Sequence, residues 1–259
     1  GCIMLDILIS YIINFFSVVT VTEFIISASI LFIAGSIQGY SGFGGGTVSV
    51  PILAILFGPI TAVGIITPIY IFGAAAILPN AVRSVDWKEV VPVAVAGSLS
   101  VFIGLFFLVD TDPNTVKKVM GSFVLMTTLM MIVGGVYTGP RNVFASILVG
   151  LTTGGVTGGT GIPGAPIMVM YYLAAKIAPA RQRANILTTG SIFSLCVILG
   201  LAQNEIYDHK TTLLILILSP VFVIATRLGQ YLFRVAPVNW FKKMAYSLLI
   251  FAGLTLLAV

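Results

Sequence analysis

Charge is what this chain has least of: 13 lysines and arginines and 8 aspartates and glutamates in 259 residues, 8% in all, where a soluble domain carries about 25%. With 58% hydrophobic residues and a mean hydropathy of +1.12, the chain reads as an integral membrane protein. A single histidine and two distant cysteines, Cys2 and Cys196, offer neither a disulfide framework nor a metal-ligand cluster, and no cofactor is expected. The basic residues behind the net charge of +5 are scattered through short loops and form no patch with interleaved aromatics. That excludes nucleic acid as a partner and leaves the lipid bilayer. A basic n-region with a small-residue cleavage site is also missing, so no cleavable signal peptide is expected.

What is abundant is apolar sequence in runs long enough for helices, without the alternation of a membrane barrel, punctuated by 27 glycines. The stretch 35–51, Gly-Ser-Ile-Gln-Gly-Tyr-Ser-Gly-Phe-Gly-Gly-Gly-Thr-Val-Ser-Val-Pro, sets a glycine cluster between two apolar segments. A shift of 115 places Gly35, Gly39, Gly44, Gly46 and Pro51 on Gly150, Gly154, Gly159, Gly161 and Pro166. A shift of 121 then places Ile65, Thr67, Ile71, Phe72, Ile77 and Leu78 on Ile186, Thr188, Ile192, Phe193, Ile198 and Leu199, so the second half carries about six extra residues, in a loop over 176–183. Such self-similarity marks an internal duplication, a signature of transporters.

The chain, 1–259, is accordingly expected to be a single transmembrane domain with repeat one at about 20–138 and repeat two at about 142–258. Apolar segments are expected at 24–40, 44–57, 60–79, 89–109 and 116–137 in the first. In the second they fall at 143–155, at 163–175, across the block 186–199, at 211–234 and at 240–257, and an N-terminal helix over about 3–19 precedes both. The fold class is thus all-α, each repeat a glycine-broken helical hairpin followed by three transmembrane helices, and the odd segment count inverts the second copy. Loop charges agree. Arg83 and Lys88 correspond to Glu205 and Asp208, and Asp110 and Asp112 to Arg234, Lys242 and Lys243; equivalent loops of opposite charge belong on opposite sides of the membrane.

In hydrocarbon every backbone N–H and C=O needs a partner, so a glycine run is tolerable only where it is buried or lines a cavity. Glycine lets a ligand approach the backbone closely, and a helix that restarts after a break presents amide donors and a positive dipole end, which suits an anion. The expected substrate-binding residues are therefore Gln38, Ser41, Gly42, Gly44, Gly45, Gly46 and Thr47 in the first turn and Thr157, Gly159, Thr160 and Gly161 in the second. Isolated Gly35 and Gly150 read instead as close-packing positions. Asn80, Arg83, Asn185, Thr188 and Arg227 are candidates for the pathway, each with helix–helix contact or snorkelling as the plainer alternative.

The first stretch resembles the glycine-rich motif of the TauE/SafE sulfite and sulfoacetate exporter family, also called TSUP, through Gly39, Ser41, Gly42, Gly44, Gly45, Gly46, Val50 and Pro51. The second copy is degenerate, with Val156, Thr157 and Thr160 replacing the serine and two glycines. The resemblance covers nearly the whole chain. It implies a secondary transporter in a bacterial-type inner membrane, exporting sulfite, sulfoacetate or a similar small organosulfur or sulfur oxyanion by alternating access at a midplane site between the turns. A proton or ion co-substrate and the oligomeric state stay open. A passive anion channel is the alternative. Gly39-Tyr40-Ser41-Gly42 also resembles the serine motif of intramembrane rhomboid proteases, but His209, the one histidine, falls in a loop beside Asp208 and Lys210, so no enzyme is expected.

Overall fold

The computed structural model describes residues 19–134, 137–163, 166–204, 206–235 and 238–258, excepting the side chains of 80, 81 and 233–245. The expected N-terminal helix before residue 19 and the charge of Glu205 lie outside the described residues.

All the regular structure described is helical. The first helix, α1 (Val21–Ser41), begins where Thr20 and Glu23 form a reciprocal capping box: Thr20 Oγ1 accepts from the Glu23 N–H at 3.2 Å and Glu23 Oε2 from the Thr20 N–H at 2.8 Å. It is followed by α2 (Gly45–Phe57) and α3 (Pro59–Ala75), separated by Gly58 at φ 85°. A four-residue helix, α4 (Leu78–Ala81), and a 3₁₀ turn (Val82–Ser84) lead into α5 (Trp87–Asp110) and α6 (Pro113–Ile132). In the second half come α7 (Val143–Thr160), α8 (Pro166–Leu173), α9 (Pro179–Ala202), α10 (His209–Val235) and α11 (Val238–Ala258). Several boundaries differ from the sequence reading: the span expected to reach 79 ends at Ala75, that expected to reach 137 ends at Ile132, and that expected over 163–175 covers Pro166–Leu173. The helix expected to stop at 155 continues to Thr160, and residues 179–183, expected in a loop, form the first turn of α9, which Pro179 opens as its first residue.

Six of the described helices, α1, α5, α6, α7, α9 and most of α10, are long and apolar enough to cross a membrane. The 13 residues of α2 reach only about 20 Å, short of a hydrocarbon core of about 30 Å. Large apolar side chains stand bare on the outer faces, among them Ile103 at 69% exposure, Phe106 at 69% and Phe251 at 66%. Water would penalise that surface and acyl chains do not, so this is a multi-pass membrane protein.

The packing has an exchange pattern. α5 lies along α7 and α10 along α1; α9 packs on α5 and α10 on α3; α3 meets α9 and α6 meets α11. Swapping each first-half helix for its second-half counterpart leaves this set unchanged. The two long seams are also built alike. On α1, Gly35 and Gly39 lie against the carbonyls of Phe222 and Thr226; on α7, Gly150 and Gly154 lie against those of Val93 and Gly97. A Cβ at any of the four would run into backbone, so glycine sets the distance between the helices.

Candidate functional site

The turn between α1 and α2 is formed by residues 42–44. Gly42 at φ 86° donates its N–H to the Gln38 carbonyl at 2.7 Å, and Gly44 has φ 91°. Both conformations belong to glycine. Ser41 Oγ lies 2.7 Å from the Ile37 carbonyl and 2.6 Å from that of Phe43, and accepts from the Phe43 N–H at 3.3 Å. Its hydroxyl therefore fastens the turn.

α2 restarts inside the protein. Its ladder opens with the Val48 N–H donating to the Gly44 carbonyl at 3.0 Å, so the amides of Gly45, Gly46 and Thr47 precede the ladder. All three residues are buried. Against this helix start lies the Gln38 side chain: a Cβ at Gly45 would overlap Gln38 Oε1 and lie 3.0 Å from Phe222 Cζ. Gln38 has no exposed surface, and neither its Oε1 nor its Nε2 has a hydrogen-bond partner. An unpaired buried amide costs free energy. Of its two polar atoms Nε2 only donates and Oε1 only accepts, and it is Oε1 that lies against Gly45.

The second glycine cluster is used differently. Gly158 and Gly159 are inside α7; a Cβ at Gly158 would overlap the Val101 carbonyl, and one at Gly159 would sit 3.4 Å from Phe107 Cδ1 in ordinary contact. The chain turns at Gly161, φ 65°, whose N–H donates to the Thr157 carbonyl at 2.7 Å. Thr157 Oγ1 donates to the Ile162 carbonyl at 3.1 Å and Thr160 Oγ1 to that of Val156 at 2.7 Å, so these hydroxyls fasten this turn as Ser41 fastens the other. Thr153, which a shift of 115 pairs with Gln38, is likewise buried with its hydroxyl unpartnered. The two turns touch where a Cβ at Gly46 would overlap the Pro163 ring.

The pathway candidates differ in burial and bonding. Arg83 and Arg227 are exposed, and the side chain of Asn80 is outside the description. Thr188 is buried with its hydroxyl unpartnered. Asn185, fully buried, accepts from the Asp86 N–H at 2.9 Å and donates to Glu89 Oε2 at 3.3 Å. Glu89 in turn pairs with Arg141, which donates to the Tyr171 carbonyl at 2.5 Å and stacks 4.3 Å from the centre of its ring. This is a separate polar cluster tying α5, α8 and α9 together.

Sequence reasoning missed Arg183. It lies one turn into α9, half-buried, and its Nη2 donates to the Gly39 carbonyl at 2.5 Å. Its stem crosses the first glycine turn, so that a Cβ at Gly42 would lie 2.5 Å from Arg183 Cγ. The available signal was Pro179, which starts a helix that carries Arg183 inward. Phe222, whose ring closes on Gly45, left no signal among the other apolar residues of its span.

A cavity of about 490 Å³ opens at the opposite end of α2, lined by Leu56, Phe57, Thr61, Asn204, Asp208 and Lys210 among others. The Lys210 ammonium stands 5.6 Å from the Phe57 ring centre.

Comparison with known proteins agrees with this architecture. No solved structure matches the chain. It is similar to the probable sulfite/organosulfonate exporter TauE of Cupriavidus necator, 23% identical over 226 residues that cover 85% of this chain and 88% of that protein. The family model described as sulfite exporter TauE/SafE matches residues 27–256, from within α1 to within α11, so the chain belongs to the TauE/SafE family.

Proposed function

We propose that this protein is a secondary transporter that exports a small sulfur oxyanion or sulfonate, sulfite or sulfoacetate in kind, and that the anion binds at the α1–α2 turn. The observation that carries the reading is the buried, unpartnered Gln38 amide set against the start of α2, where the amides of Gly45, Gly46 and Thr47 precede the helix ladder. Backbone donors, the Gln38 Nε2 and the positive end of α2 supply hydrogen bonds and sign for an oxyanion. The walls at Gln38, Phe222 and Pro163 close on Gly45 and Gly46 so tightly that even a Cβ would overlap them, so the anion enters as these contacts part. Family membership supplies the sulfur chemistry and the direction. No enzyme activity is part of this reading: the family is one of exporters, and Ser41 is bonded to the backbone of its own turn.

The exchange pattern of helix pairs supports two repeats, about 20–138 and 142–258, related by a pseudo-two-fold axis, and the loop charges support an axis in the membrane plane. Alternating access then rocks one half against the other about the touching turns. Proteoliposomes loaded with unlabelled sulfite provide the test. Labelled sulfite added outside should enter faster than into empty vesicles, and the rate should saturate. Flux that rises linearly with concentration and ignores internal sulfite would make the protein a passive anion channel instead.

A further inference from the structure

We propose that Arg183 sets the charge selectivity of the α1–α2 turn, an inference that rests on the anion-binding reading above. The two glycine turns are built alike but faced differently. Over the first lies the Arg183 side chain of α9; over the second, at Gly161, lies Val63 of α3, whose Cβ and both methyl groups a Cβ there would strike. In each case the fifth residue of the other half's third helix covers the left-handed glycine, and only in the first is that residue a cation. Arg183 also marks the turn that has Gln38 and the buried start of α2 beside it.

The guanidinium is tied to the site through backbone. Its Nη2 bonds the Gly39 carbonyl, one residue from Gln38, and its stem occupies the space that glycine leaves at position 42. Gly42 is thus required twice, for its φ of 86° and for this passage. A guanidinium carries five N–H donors in a fixed fork, so it can hold the Gly39 carbonyl and an oxyanion together. Lysine would bring charge without the fork. Because Arg183 belongs to one half and Gly39 to the other, an anion that draws on the guanidinium also acts on a contact between the halves.

The experiment is calorimetric titration of the purified full chain with sulfite and with methanesulfonate, in mildly alkaline buffer where the first is a dianion and the second a monoanion. Wild type should bind sulfite more tightly. Arg183→Gln should lose roughly 10- to 100-fold in sulfite affinity, the scale of a charge-assisted hydrogen bond, and much less for methanesulfonate, so the ratio between the two collapses. Arg183→Lys should keep the ratio while weakening both, and Arg183→Met, which also removes the charge and should also collapse the ratio, serves as the readout if Arg183→Gln does not fold. A merely structural role, capping the end of α1, would weaken both anions by one factor and leave the ratio in Arg183→Gln unchanged; that result, or unchanged affinities, overturns the proposal. A wild-type protein that binds neither anion overturns the underlying site assignment instead.

Discussion

Replacing Gln38 by methionine separates what the site costs from what it does. Gln38 buries its amide completely and gives neither polar atom a partner. Leaving such a group unsatisfied costs about 1–3 kcal/mol, and an apolar surrounding does nothing to lessen it. Methionine has nearly the same length and volume, and swaps of that kind cost under about 1.5 kcal/mol. Gln38→Met should therefore leave the empty protein equally stable or more stable, by up to about 2 kcal/mol. At roughly 2–4 °C per kcal/mol for a chain of this size, the melting midpoint in detergent should hold or rise by a few degrees. The liganded protein should behave in the opposite way. Sulfite in excess should raise the wild-type midpoint, because a ligand that binds only the folded state stabilises it by mass action, and Gln38→Met should lose that rise together with transport. The reasoning fails if Gln38→Met melts several degrees below wild type, since the amide would then be a structural bond, or if its midpoint still rises with sulfite.

Two further outcomes follow from the geometry. Gly158→Ala pushes a methyl group into the Val101 carbonyl and must part α5 from α7, whereas Gly159→Ala meets Phe107 at 3.4 Å and Gly104 at 3.6 Å in ordinary contact. Overpacking costs about 1–3 kcal/mol, and alanine inside a helix gains up to about 1 kcal/mol over glycine. Gly158→Ala should accordingly melt several degrees below Gly159→Ala, and equal midpoints would place the seam elsewhere. At the other end of α2, the Thr211 N–H bonds the Asp208 carboxylate at 2.7 Å and holds it below the usual carboxylate range. A depressed pKa contributes stability above the unfolded value and loses it as pH falls through the folded one. In thermal melts the Asp208 contribution should therefore be constant from neutrality down to about pH 4, disappear below that, and be missing at every pH in Asp208→Ala.

The long elements were legible because their causes are local. Apolar runs bounded by glycine and proline gave most of the spans, and the break expected at 20–23 is a capping box that starts α1. The first hairpin was legible because Gly42 and Gly44 need left-handed backbone there. The second was misplaced because consecutive glycines were read as a break, while Gly150, Gly154 and Gly158 recur every four residues on one face, which is the spacing of a packing stripe. The hydroxyls of Ser41, Thr157 and Thr160 were read as donors for a ligand, and they bond nearby carbonyls instead, as short side chains at helix ends commonly do. Arg183 escapes a sequence reading because its partner, Gly39, lies 144 residues away in sequence, and nothing local announces such a pairing.

The difference between the turns can be traced to where each glycine seam stops. A shift of 115 that carries Gly35 and Gly39 onto Gly150 and Gly154 also carries Phe43 onto Gly158. In the second half the seam gains a third glycine, α7 stays against α5 for one more turn, and its backbone groups remain paired within the helix up to Thr160. In the first half phenylalanine stands at that position, the helix gives out at Ser41, and α2 begins again after three residues. A helix that continues satisfies its own N–H groups; one that restarts in an apolar interior brings three amides that must find partners elsewhere. The early break also brings those amides beside Gln38. For that reason we place the proposed anion at the first turn, although Gly44 and Gly46 match Gly159 and Gly161 in sequence.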